Sequence, residues 1–194
     1  MSKKNTAGFA TRAIHVGNDP DPSTGAVAPP IFATSTYAQE ELGKTKGYDY
    51  SRAGNPTRTR LEQNLASLEG GIAAPVFASG MAAVGALCQM MKSGDHVVAS
   101  NNLYGGVPRL FDQVMVNFGL AFTYVDTTDP RNVERAIRKN TRYVYIETPT
   151  NPLMGLTDIA ASARSRTSAV ARWWWTTPSC RRTFSSPSSL ARTS

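Results

Sequence analysis

The stretch His96-Val97-Val98-Ala99-Ser100-Asn101-Asn102-Leu103-Tyr104-Gly105-Gly106 decides how the whole chain is read. A short apolar run rich in β-branched residues predicts a buried strand over 96–99, and the polar, glycine-closed segment behind it predicts a loop. The same pattern recurs on both sides. Downstream, Arg109 to Phe118 predicts a helix, Ala121 to Val125 a strand, Val133 to Lys139 a short helix and Tyr143-Val144-Tyr145-Ile146 a strand. Upstream, Pro75-Val76-Phe77-Ala78 predicts a strand, Ser79-Gly80 a tight turn and Met81 to Leu87 a helix. Strands alternating with helices imply an α/β fold with a mostly parallel sheet covered on both faces. In such sheets ligands bind beyond the carboxyl ends of the strands, which directs attention to the loops after Ala78, Ala99 and Ile146.

Further toward the N-terminus, Leu61, Leu65 and Leu68 recur at helical spacing before Gly70-Gly71, predicting a helix over 57–69. Residues 1–40 carry Pro20, Pro22, Pro29 and Pro30 and predict an extended arm, of a kind that lies on another surface.

The 194 residues include 21 Lys or Arg and 14 Asp or Glu, a formal charge of +7. That excess is local: residues 1–161 hold 15 basic and 14 acidic side chains, while 162–194 hold six Arg and no acid. No apolar run is long enough to span a membrane. The start Met1-Ser2-Lys3-Lys4-Asn5-Thr6 leads into no apolar leader core, so a cytoplasmic location is expected. Cys88 and Cys180 have neither disulfide-framework nor metal-ligand spacing, and no metal site is expected. His15 and His96 read as structural, and Cys88 as core.

Ser79-Gly80-Met81 opens a helix directly after a strand, where backbone amides and the positive helix end suit a phosphate. Turn chemistry alone also accounts for that glycine. Tyr48-Asp49-Tyr50-Ser51-Arg52-Ala53-Gly54-Asn55-Pro56-Thr57 sets two Tyr and an Arg before a helix, with Asn55 or Thr57 as its cap. Arg52 can bind phosphate bidentately, or simply be solvated beside a capped helix. Tyr104 follows a strand, where its ring either stacks on a flat ligand or packs on the core. Glu147-Thr148-Pro149-Thr150-Asn151-Pro152 follows the strand ending at Ile146, and its prolines stiffen a loop that holds Glu147 and Asn151 at the strand end.

Together with Thr11-Arg12-Ala13-Ile14-His15 and Pro29-Pro30-Ile31, these segments resemble the pyridoxal-phosphate-dependent enzymes of sulfur amino-acid metabolism. That family includes cystathionine γ-synthase, cystathionine γ-lyase, methionine γ-lyase and the O-acylhomoserine sulfhydrylases. The resemblance runs to about Ala161 and implies an aminotransferase-like, fold type I domain. It implies an N-terminal arm over 1–56 making cofactor and partner-subunit contacts, and a partial cofactor-binding α/β domain over 57–161. It further implies that Ser79, Gly80 and Met81 hold the cofactor phosphate and that Tyr104 stacks on the ring as a catalytic residue. Asn151 would lie near cofactor and substrate carboxylate, and Glu147 near the ring. Tyr50 and Arg52 would reach the phosphate of a neighbouring subunit in a homotetramer. The implied activity is that of a transferase or carbon–sulfur lyase: γ-replacement or γ-elimination on homoserine esters, cystathionine or methionine, nearest to cystathionine γ-synthase or γ-lyase.

The Schiff-base lysine and the carboxylate opposite the ring nitrogen follow Asn151 in that family. Here no Lys follows Lys139 and no acid follows Asp158, so the chain as it stands is expected to be inactive. Trp173-Trp174-Trp175-Thr176 must be encoded TGG TGG TGG ACN, and reading one base earlier ends in Val-Val-Asp, as the family's strand does. Residues 162–194 therefore read as an out-of-frame, disordered tail, leaving a sheet edge exposed beside Ile146. The alternative use of its six Arg and three Trp is binding nucleic acid or an acidic partner; a metabolic enzyme of this family needs neither nucleic acid nor membrane, only a small amino-acid substrate.

Overall fold

A computed structural model of the chain describes residues 7–164, 172–176 and 182–185. Two compact units divide it, Met1–Val76 and Phe77–Ser194.

The first unit holds α1 (Phe9–His15) and α2 (Pro56–Glu69). The short helix α1 interrupts the arm expected to be extended, because its seven residues precede the first proline. α2 begins where its sequence says it should. Asn55 caps it by accepting the Thr57 amide, Pro56 occupies the first turn, and Gly70 closes it in the left-handed conformation at φ 64°. Asn64 Nδ2 donates to the carbonyls of Arg12, Ala13 and Val16, tying α1 to α2. α2 falls in the same compact unit as the arm, a unit that runs to Val76.

The second unit is a sheet with helices on both faces. It runs α3 (Gly80–Cys88), β1 (His96–Ser100), α4 (Gly106–Gln113), a 3-10 turn (Met115–Phe118), β2 (Ala121–Val125), α5 (Pro130–Ala136), β3 (Thr141–Glu147), α6 (Ile159–Arg164), β4 (Arg172–Thr176) and β5 (Arg182–Ser185). The strand order is β2-β1-β3-β4-β5, with the first four parallel and β5 antiparallel to β4. Alternate residues of the central strands feed two cores. Val97, Ala99, Tyr143 and Tyr145 pack with Val84 and Cys88 of α3 and with Val107 and Phe111 of α4. Val98, Val144 and Ile146 pack with Val133 of α5 on the other face. Phe111 stacks on Phe122 with ring centres 4.3 Å apart and meets Tyr145 edge-on at 5.7 Å.

Three expectations are corrected. Pro75–Ala78 is not a strand: Pro75 has no amide to donate, and the Val76 amide goes to Glu62 Oε1 instead of a neighbouring strand. The helix expected over 109–118 starts earlier and breaks at Val114, continuing as the 3-10 turn that Gly119 ends at φ 79°. The edge expected beside Ile146 is covered, because β4 pairs along β3 with Trp175 opposite Ile146 and Thr176 opposite Glu147. Within 162–194, the segment expected to be a disordered tail, residues 162–164 end α6, and 172–176 and 182–185 form β4 and β5. The remainder of that expectation, over 165–171, 177–181 and 186–194, lies outside the described residues.

Candidate functional site

The carboxyl ends of β1 and β3 bring three of the expected residues together. The Glu147 side chain is buried at the end of β3, 4% exposed, and both its oxygens are occupied. Oε2 accepts the Tyr104 amide at 2.9 Å and Oε1 accepts the Asn151 amide at 3.1 Å. A second link joins the same loops, from Asn102 Nδ2 to Thr150 Oγ1 at 2.8 Å. Thr150 Oγ1 also accepts the Gly155 amide, closing the loop that carries Asn151 and two cis peptides, Thr148-Pro149 and Asn151-Pro152. Below the site, Ser100, Thr127 and Thr157 form a buried chain of hydroxyls at 2.9 and 2.8 Å.

Leu103 is buried beside it while Tyr104 as a residue is 54% exposed, which does not match a core-packed tyrosine. Its ring lies against Gly106. A Cβ there would sit 2.6 Å from Tyr104 Cε1 and 3.0 Å from Met81 Sδ, which brings the aromatic face and the start of α3 onto one bare stretch of backbone. α3 itself is capped by Ser79, whose Oγ accepts the Ala82 amide at 3.1 Å. Ser79 uses an Oγ lone pair on the helix while its O–H remains a donor, and Gly80 and Met81 form the first turn above it. The need for Gly106 and the Asn102–Thr150 link escaped sequence reading, since each depends on which loops become neighbours.

Tyr50 and Arg52 lie in the first unit. The Arg52 guanidinium sits 4.9 Å from the centre of the Tyr50 ring, a cation–π pair. Arg58 Nη2 donates to the Ala53 carbonyl, and Asn55 Nδ2 to Ser51 Oγ and the Phe32 carbonyl, so the loop carrying the pair is held from several sides.

The opposite end of the sheet is also polar inside. His96 is fully buried, with Nδ1 2.7 Å from Thr141 Oγ1 and Nε2 2.9 Å from Thr123 Oγ1. Arg138 donates to both threonines, through its amide to Thr141 Oγ1 and through Nη2 to Thr123 Oγ1. Burial, helped by the Arg138 charge, pushes the imidazole down to about 4. Burial and the Asp112 carboxylate, which accepts the Tyr124 hydroxyl at 2.8 Å, raise the Tyr124 phenol. Among the described residues no group of three or more His, Cys, Asp or Glu could hold a metal, and no helix is long and apolar enough to cross a membrane.

Residues 10–180 match the family of Cys/Met metabolism PLP-dependent enzymes. A probable cystathionine γ-synthase of Herpetosiphon aurantiacus is 54% identical over 157 residues, covering 81% of this chain and 49% of the relative. The cystathionine γ-lyase of Bacillus subtilis is 48% identical over 153 residues, covering 79% of this chain and 40% of the relative. The crystal structure of metB from Corynebacterium glutamicum superposes with a TM-score of 0.81 at 44% identity, over 89% of this chain and 45% of that one. The chain spans less than half the length of these relatives. With a parallel, helix-covered sheet and a polar site at its carboxyl end, it belongs to the Cys/Met metabolism PLP-dependent enzyme family.

Proposed function

We propose that this chain is the N-terminal portion of a pyridoxal-phosphate-dependent enzyme acting on small sulfur amino acids or homoserine esters by γ-replacement or γ-elimination. The carrying observation is the convergence of the exposed Tyr104 ring and the α3 start on Gly106, where a Cβ would collide with both. A flat, phosphorylated ring fits such a cradle: the aromatic face takes the ring and the helix start takes the phosphate. When bound, pyridoxal phosphate supplies an electron sink for the substrate's α-carbon.

The roles of the chain's own residues follow. The amides of Gly80 and Met81 bind the phosphate, while Ser79 keeps the helix start ordered. Tyr104 orients the ring, and Asn151 turns its side chain toward the substrate carboxylate. Tyr50 and Arg52, already paired, supply a tyrosine hydroxyl and a guanidinium to the phosphate of a second subunit in a homotetramer. A cytoplasmic setting accords with a buried free thiol at Cys88.

We also infer that the reading frame shifts between Ala161 and Trp173. β4 supports this reading. The aspartate of the alternative frame is encoded across codons 175 and 176, at the strand end that pairs with Ile146 and Glu147. That carboxylate would then stand at the same end of the sheet as Tyr104.

The test is a frame-restored, cofactor-loaded protein assayed on homoserine esters, cystathionine and methionine. Turnover of one of them is expected, and failure on all, in a folded protein, refutes the assignment. Sequencing the DNA over codons 155–175 tests the frame separately: a continuous alternative frame is expected, and its absence ends that inference.

A further inference from the structure

We propose that Glu147 is a positioning residue whose single carboxylate sets the ring-stacking tyrosine and the substrate-facing asparagine relative to each other. The inference rests on the function proposed above. Glu147 was expected near the ring, yet its two oxygens point sideways into two loops, one accepting the Tyr104 amide and the other the Asn151 amide. At 4% exposure the carboxylate is withdrawn from solvent, so the two backbone donors are the groups that compensate its charge. Its own amide is drawn toward Ser100 Oγ at 3.4 Å, which locks the side chain's origin to the end of β1.

The consequence is geometric. Tyr104 and Asn151 sit on loops that follow different strands and differ by 47 positions, so local structure cannot fix their separation. A planar carboxylate bridging two amides does fix it, because each oxygen holds one of them and the group cannot rotate without breaking both bonds. The Asn102–Thr150 bond lies between the same loops and prevents them from pivoting about the carboxylate. Glu147 therefore acts through Tyr104 and Asn151 rather than by touching the cofactor.

The experiment compares the full chain with Glu147→Gln and Glu147→Ala, using amide hydrogen exchange by NMR and binding of pyridoxamine 5′-phosphate by fluorescence. Glutamine keeps one acceptor and alanine keeps none. In the parent chain the Tyr104 and Asn151 amides are expected to be protected despite lying in loops. Glutamine is expected to expose at least one of them and weaken pyridoxamine phosphate binding about tenfold, with alanine exposing both. Unprotected amides in the parent overturn the proposal without any variant, which covers the case where the variants fail to fold. Unchanged affinity in a Glu147→Gln protein whose parent binds the probe overturns it as well. A parent with protected amides that does not bind the probe counts against the cofactor reading while leaving the clamp itself supported.

Discussion

Replacing His96 by glutamine should remove most of the acid sensitivity that this side of the sheet contributes. The imidazole lies fully buried between β1, β2 and β3, hydrogen-bonded to Thr123 and Thr141. Arg138, which donates to both threonines, is the charge that acts on it, and the adjacent Asp95 is paired with Arg142 at 3.8 Å. The folded value near 4 lies below the ordinary 6.5, so the unfolded chain binds the proton more readily. Stability from this group is complete above pH 6.5 and falls as pH drops from there toward 4. At about 1.4 kcal/mol per pH unit the loss is about 1.4 kcal/mol by pH 5.5 and about 3 kcal/mol by pH 4. Urea unfolding of the parent and His96→Gln proteins at pH 7.5, 5.5 and 4.5 measures this. Carboxylate effects common to both cancel in the difference. Parallel pH dependences in the two proteins would refute the reasoning, whatever their absolute stabilities.

Three further outcomes are expected. Phe111→Ala, which empties a fully buried site between Phe122 and Tyr145, should cost about 3–5 kcal/mol in urea unfolding, and a loss under 1 kcal/mol would contradict the packing described. Gly106→Ala should push Tyr104 and Met81 aside and weaken pyridoxamine phosphate binding about tenfold with little change in unfolding midpoint; equal affinity argues against the cradle. Burial pushes the Cys88 thiol up to about 11, so alkylation at pH 8 should be slow in the folded chain and become fast in urea, whereas equal rates would place the thiol at the surface.

How much of this was legible beforehand depends on the range over which each feature is determined. The α2 boundaries were readable because Asn55, Pro56 and Gly70 act on their own neighbours. The strand at 96 was readable because its centre is a continuous buried apolar run, and the half-buried edge strand at 121 because it is rich in aromatic and β-branched residues. Pro75–Ala78 has the same apolar look and failed, because a strand also needs a partner for its amides, and the Val76 amide found Glu62. Tyr104 and Glu147 were each marked as functional by position after a strand. That one's amide binds the other's carboxylate is a property of the parallel alignment of β1 with β3.

By itself, then, the sequence determined the α/β class, the family and the cap of α2, and it marked the residues proposed for the site, since these follow from local patterns and ordered motifs. Only the tertiary structure decided the strand order, the pairing of β4 with β3, the burial of His96 and the occupation of Glu147 by two backbone amides. Apart from the local Glu147–Asn151 bond, each of these joins segments far apart in the chain, and the free energy that selects them comes from burial and hydrogen-bond satisfaction, which exist only once the sheet has assembled.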